Sequence, residues 1–302
     1  MTPAQQQGLS SAGLLGPAQV RELAAEFGVT PTKKLGQNFV HDPNTVRKIV
    51  RQAGVTAADT VLEVGPGLGS LTLGLTETGA AVTAIEIDPA LAARLLQTVA
   101  SLQPEARLQL IESDALAVTA TQLTKPYNTL VANLPYNVSV PILMHLLELV
   151  PTLTRVLVMV QLEVGERIAA APGSKAYGAP SAKAAWYGQW ELEGHISRQV
   201  FWPVPGVDSV LVGCKTRTTP LGSETERRLT FDLINAAFGQ RRKMLRQSLQ
   251  AVDHPALHSA MSITEVLARV GLSATERAEA LDVHQWLAIA RELLAPAETP
   301  AP

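Results

Sequence analysis

Asn133, Leu134, Pro135 and Tyr136 follow directly on a short apolar run in TLVANLPYNVSVP, and no other tetrapeptide in the chain carries chemistry as specific. An exocyclic amine on adenine is a poor nucleophile because its lone pair is delocalised into the ring. The amide oxygen of Asn133 and a main-chain carbonyl held out by Pro135 can each accept one N–H. That draws the nitrogen toward tetrahedral geometry and aims its lone pair at an electrophile. If the leaving group is a thioether departing from a sulfonium, positioning and electrostatic support supply most of the barrier reduction. Tyr136 has the flat face needed to hold an extruded base, an interaction worth roughly 1–3 kcal/mol. Taken alone, the same residues also suit a β-turn with Tyr136 in a core.

Three earlier loops give this one its context. VLEVGPGLGSLTLGL places Gly65, Gly67 and Gly69 between a strand and a helix start, where missing side chains let a ligand approach the backbone, although such turns also serve only to pack a strand on a helix. The spacing is GxGxG and not the dinucleotide GxGxxG. Glu86, at the end of AVTAIEID, is placed to accept hydrogen bonds from both hydroxyls of a ribose. That suits NAD, FAD and S-adenosylmethionine alike. Asp114 in IESDAL could accept from an adenine amino group, or it could simply cap a helical turn.

Positioning these loops requires a parallel sheet. From Thr60 to about residue 160, β-branched runs, turns and helical patterns alternate, which predicts an α/β fold. The expected strands are 61–64, 81–87, 107–112, 129–132 and 155–160, and ligands of such sheets bind beyond the strands' carboxyl ends. Two further runs, 190–201 and 207–215, joined by WPVPG, read as an antiparallel hairpin completing the sheet. Pro/Gly-marked TRTTPLGSETE suggests a domain boundary near 220. The expected organisation is a partly flexible N-terminal extension (1–30), a catalytic domain (31–220) and a small all-α domain (221–302), with a loosely docked AETPAP tail.

Composition removes other classes. With 302 residues and 46% hydrophobic content, the chain can bury a large core. A single cysteine, Cys214, excludes an intramolecular disulfide, reads as a small buried hydrophobe, and makes a reducing cytoplasm the default location. His254 and His258 lack a third ligand, so no metal is expected. There is no leader pattern and no run long enough to span a bilayer. The net charge of −2 conceals a local field: residues 225–249 carry six Lys/Arg against two Asp/Glu, and residues 250–302 three against seven. In TFDLINAAFGQRRKMLRQSL, Phe231, Ile234, Phe238, Leu245 and Leu249 form one apolar helical stripe, flanked by Arg242, Lys243 and Arg246 on one side and Arg241 on the other. Such a face is either solvated or a phosphate-binding surface.

The segments KKLGQNFVHD, LEVGPGLGSLT, IEID, SDAL, NLPYNVS, SKAYG, FWPVPGVDS and FGQRRKMLR occur in this order. Together they resemble the KsgA-type small-subunit (16S) rRNA adenine dimethyltransferases, which are related to the Dim-type and erythromycin-resistance enzymes. The resemblance spans about residues 30–295. It implies a Rossmann-like class I methyltransferase sheet with a C-terminal helical rRNA-binding domain, and S-adenosyl-L-methionine as cofactor. It implies N6,N6-dimethylation of two adjacent adenosines in the 3′-terminal hairpin of 16S rRNA, within the immature small subunit. A cytoplasmic monomer without membrane or metal is expected. Carried over by position, cofactor contacts fall on Asn38, Val40 (commonly leucine), Gly65, Gly67, Glu86, Asp114 and Asn133. Catalytic roles fall on Asn133, Leu134, Pro135 and Tyr136, with Phe201 closing the base pocket opposite Tyr136 unless it is a hairpin core residue. RNA contacts fall on Arg241, Arg242, Lys243 and Arg246. Leu162, Ala179 and Gly206 stand where the family often has cations, so the resemblance implies three fewer phosphate contacts here. Competing readings are a large-subunit rRNA methylase conferring antibiotic resistance, a non-catalytic assembly factor, and an NAD-dependent oxidoreductase.

Overall fold

The computed structural model describes residues 13–26, 28, 37–259 and 262–295. In chain order the elements are α1 (Pro17–Glu26), β1 (Phe39–Val40), α2 (Pro43–Ala53), β2 (Thr60–Val64), α3 (Ser70–Thr76), β3 (Ala81–Glu86), α4 (Pro89–Leu102), β4 (Arg107–Glu112), β5 (Thr129–Asn133), α5 (Ser139–Leu149), β6 (Arg155–Gln161), α6 (Leu162–Ile168), α7 (Ala179–Tyr187), β7 (Gly188–Ile196), β8 (Phe201–Trp202) and β9 (Ser209–Thr216). There follow α8 (Glu224–Gly239), α9 (Leu245–Ser248), α10 (Pro255–Ser259), α11 (Ile263–Arg269) and α12 (Val283–Leu294). They divide into two compact units, residues 1–165 with 190–216, and residues 166–189 with 217–302.

The first unit is built on a seven-stranded sheet of order β4-β3-β2-β5-β6-β9-β7. β2 pairs in parallel with β3 on one side and β5 on the other. Chain order therefore reverses between β2 and β5, which opens a crevice at their carboxyl ends. Local chemistry sets the helices that follow. Asp42 caps α2 by accepting from the Asn44 and Thr45 N–H groups, and Asp88 caps α4 by accepting from those of Ala90 and Leu91, with a proline at the first helical position each time.

One expectation changes in this unit. The 190–201 and 207–215 runs do not form a simple hairpin. β7 stops at Ile196, a 3-10 turn spans Arg198–Val200, and β8 leaves the large sheet to pair antiparallel with β1, Val40 facing Phe201. β9 is inserted between β7 and β6, pairing antiparallel with β6. The burial patterns explain the choice. β9 is covered on both faces over its first six residues and needs neighbours on both sides, whereas β7 alternates and tolerates an edge. The N-terminal extension is not wholly loose, because α1 and its lead-in bury Leu14, Leu15, Val20 and Ala24 in the unit's main core. Residues 1–12 and the AETPAP tail lie outside the described residues.

The second unit extends further back than the boundary near 220. Tyr177 and Ala182 belong to its core, and the Tyr177 hydroxyl donates to the Leu281 carbonyl at 2.8 Å. Reciprocal capping boxes start α8 (Ser223/Glu226), α11 (Ser262/Glu265) and α12 (Asp282/Gln285). The expected continuous basic helix is broken. α8 ends at Gly239, a turn follows, and α9 begins at Leu245, whose N–H donates to the Glu276 carbonyl at 2.8 Å. Leu245 and Leu249 still reach the same core as Ile234, so their apolar spacing reflects burial and not one helix.

Candidate active site

A cleft of about 210 Å³ opens at the carboxyl ends of β2, β3, β4 and β5, with β1 on one side. All seven residues expected to contact a cofactor line it: Asn38, Val40, Gly65, Gly67, Glu86, Asp114 and Asn133. They come from five separate segments, which only this sheet order brings together.

The glycine loop is tied to the acid. Gly67, at φ +56°, donates its N–H to Glu86 Oε2 at 3.0 Å, and a Cβ built on it would stand 2.7 Å from the Phe39 ring. The Asp88 N–H donates to Glu86 Oε1 at 2.9 Å. Each carboxylate oxygen thus holds a backbone N–H, the Ile87 N–H adds to them, and lone pairs remain to accept further hydrogen bonds. Burial pushes the Glu86 carboxyl up; the backbone N–H bonds oppose this and the nearby Asp88 charge adds to it. Asp114 accepts from the Leu116 N–H at 2.9 Å as a turn cap, and it also lines the cleft.

Asn133 ends β5, and its Nδ2 donates to the Asn38 carbonyl at 3.0 Å. That bond orients the amide and leaves Oδ1 as an acceptor at the cleft. Pro135 also lines the cleft, whereas Leu134 and Tyr136 do not. Leu134 is buried with its N–H given to the Met159 carbonyl at 3.1 Å, and its own carbonyl accepts no hydrogen bond among the described residues. Tyr136 is half-buried with its hydroxyl 2.6 Å from Ser209 Oγ; burial pushes its phenol up. Phe201 is 0% exposed, packed in the core behind β1 and absent from the cleft wall, because pairing with Val40 turns it inward.

Sequence reasoning missed other parts of the wall. Ile87 and Leu116 are exposed apolar side chains on it, Ser70 Oγ is buried there without a hydrogen-bond partner among the described residues, and Phe39 supplies a ring that stacks on Trp202 with centroids 6.4 Å apart. Each adjoins a recognised motif, and a search for polar groups passes over the apolar ones.

In the second unit, Arg242, Lys243 and Arg246 are exposed on and just after the turn beyond α8, with no side-chain partner among the described residues. Arg241 differs from its neighbours, pairing with Glu279 at 3.2 Å and donating to the Lys175 carbonyl at 3.0 Å. Of the three departures, Leu162 opens α6, Ala179 opens α7, and Gly206 is exposed with nothing within 4 Å of a built Cβ. Among the described residues there is no group of three or more His, Cys, Asp or Glu that could hold a metal, and no helix long and apolar enough to cross a membrane. Cys214 is buried.

A sequence model described as "Ribosomal RNA adenine dimethylase" matches residues 29–289. The chain belongs to that family. Among its relatives, the ribosomal RNA small subunit methyltransferase A of Leifsonia xyli subsp. xyli is 59% identical over 280 residues, covering 92% of this chain and 98% of the relative. The protein of the same name from Nocardia farcinica is 50% identical over 297 residues, covering 97% and 100%. A dimethyladenosine transferase from Plasmodium falciparum shares the fold, with TM-score 0.70 at 22% identity over 83% of this chain and 95% of that one. The 23S rRNA methyltransferase ErmE does so with TM-score 0.61 at 24% identity over 85% and 100%.

Proposed function

We propose that the cleft holds S-adenosylmethionine and that Asn133 presents the N6 amine of an rRNA adenine to it, on two adjacent adenosines in the 3′-terminal hairpin of 16S rRNA. As a member of its family the chain is an S-adenosylmethionine-dependent methyltransferase that dimethylates adenine in small-subunit rRNA. This removes the oxidoreductase and purely structural readings, and the relatives' names favour the small over the large subunit. An immature small subunit as partner, a monomeric state and a cytoplasmic location belong to the same proposal.

The residues present fit the cofactor. The remaining lone pairs of Glu86 match a ribose diol, Asp114 suits an adenine amino group, and Ile87 and Leu116 offer apolar flanks for a purine ring. Unpartnered Ser70 Oγ and the glycine loop accommodate the polar remainder. When bound, the cofactor supplies an electrophilic methyl on a sulfonium that departs as a neutral thioether.

One observation carries the catalytic reading: the Asn133–Asn38 bond that commits Nδ2 and frees Oδ1. Oδ1 accepts one N–H of the target amine and the Leu134 carbonyl accepts the other. Both dipoles then face the positive charge that develops on nitrogen. After the first transfer the cationic nitrogen releases one proton to water and one N–H remains, so a single acceptor suffices for the second. Arg242, Lys243 and Arg246 supply phosphate contacts that position the RNA without reading its sequence. The test is tritium transfer from labelled cofactor to unmodified small subunits. Asn133→Ala is expected to lose about 100-fold or more in turnover; equal counts would refute the assignment.

A further inference from the structure

The loop between β8 and β9 exposes apolar surface that folding does not use. Val204 is 60% exposed and Val207 47%, with Pro203 also exposed, while Pro205 between them is buried and pins the loop. The base of the loop is fastened on both sides. The Arg198 N–H donates to Asp208 Oδ1 at 3.2 Å, and the Leu162 N–H donates to the Asp208 carbonyl at 3.0 Å.

Both roots of the loop attach to the candidate active site. Trp202 and Phe201 on the N-terminal side pair with Phe39 and Val40, next to the Asn38 carbonyl that holds Asn133. Ser209 on the C-terminal side holds the Tyr136 hydroxyl. Val204 is two residues from Trp202, and Val207 two from Ser209. Each can stand at most about 7 Å, Cα to Cα, from a residue paired with Phe39 of the cleft wall, for Val204, or bonded to the candidate catalytic Tyr136, for Val207. The five residues of the tip have no charge of their own, since Gly206 has no side chain and the rest of Pro203–Val207 are apolar, while the Arg198 guanidinium donates to the Gly206 carbonyl at 3.5 Å at its edge. The tip's own side chains therefore have no charge to offer a phosphate. The complementary apolar surface on an RNA is the face of a base.

Resting on the adenine-methylation reading above, we propose that the Pro203–Val207 tip is a wedge that occupies the gap left in the RNA stack when the target adenosine swings out into the site. Extruding a base costs its stacking on both neighbours, and an apolar side chain inserted against the exposed neighbour recovers part of that cost. Rigidity matters for such a device, and buried Pro205 together with the Asp208 bonds provides it.

The test uses the full chain with Val204→Ser and Val207→Ser combined. Three measurements are compared with wild type: methyl transfer to unmodified small subunits, S-adenosylmethionine affinity by calorimetry, and methyl transfer to a hairpin RNA in which the base beside the target adenosine is replaced by an abasic site. The expected result is about a tenfold slower transfer to intact subunits, unchanged cofactor affinity, and equal rates on the abasic RNA, where little stacking has to be replaced. Equal rates on intact subunits would overturn the wedge. So would a deficit that persists undiminished on the abasic RNA, which marks a general contact, or a change confined to self-association of the chain. A wild-type chain that methylates no adenine on either RNA would overturn the underlying reading, and the wedge with it.

Discussion

Glu63 provides a quantitative test of how the sheet that carries the site is built. It lies in the central strand β2, 1% exposed, with Oε2 accepting the Thr72 hydroxyl at 2.8 Å and Oε1 without a hydrogen-bond partner among the described residues. Burial, opposed by the Thr72 hydrogen bond and reinforced by the charge on Glu86, pushes its carboxyl up to about 8. An unfolded glutamate titrates near 4.5. Because the folded state binds this proton more tightly, the stabilisation is complete below pH 4.5 and is lost as pH rises toward 8. A separation of about 3.5 pH units at about 1.4 kcal/mol each puts the loss near 5 kcal/mol across that window. Glu63→Gln is neutral throughout and nearly isosteric, but leaves an unpaired buried N–H costing about 1–3 kcal/mol. The variant should therefore be less stable than wild type at pH 5 and more stable at pH 9 by about 2–4 kcal/mol, once that cost is subtracted from the relieved titration. Urea midpoints from pH 5 to 9, read by tryptophan fluorescence, measure the difference. Two curves that run parallel across this range would show that Glu63 is not the group being titrated, and the reading of it as a buried neutral acid in β2 would fail.

The basic turn divides by the same kind of reasoning. Replacing Arg242, Lys243 or Arg246 by alanine should weaken rRNA binding and lower the salt slope by roughly 0.7–0.9 for each phosphate contact removed. Arg241→Ala should leave that slope unchanged and lower stability by less than about 1 kcal/mol, because its half-exposed guanidinium is already paired with Glu279. Filter binding between low and moderate salt separates the two classes. Gly67→Ala combines a left-handed backbone at φ +56° with a Cβ 2.7 Å from Phe39. It should cost roughly 1–2 kcal/mol from the backbone alone and sharply reduce affinity for S-adenosylhomocysteine in calorimetry, while unchanged affinity would show that the loop has room to spare.

Much of the fold and the cleft was legible in the residue order, because the signals involved are local. The strand–glycine–helix alternation from Thr60, the acid ending β3 and Asn133 ending β5 depend on neighbours a few positions away, and the sheet topology carries such strand ends to one crevice. The structure decided what depends on partners distant in sequence. Nothing near Phe201 indicates that Val40 will pair with it and turn its ring into the core. Nothing near Arg241 indicates that Glu279 will hold it, nor that Leu245, after the turn beyond α8, will give its N–H to the Glu276 carbonyl. Likewise, α7 joins the helical unit because Ala182 is buried in that core, beside Tyr177 just before the helix, though both precede β7 in sequence. Composition and short-range spacing determine which elements form and which groups can react. Long-range burial and pairing determine which of those groups still face the ligand after the chain has folded, because one side chain cannot serve both the core and the cleft.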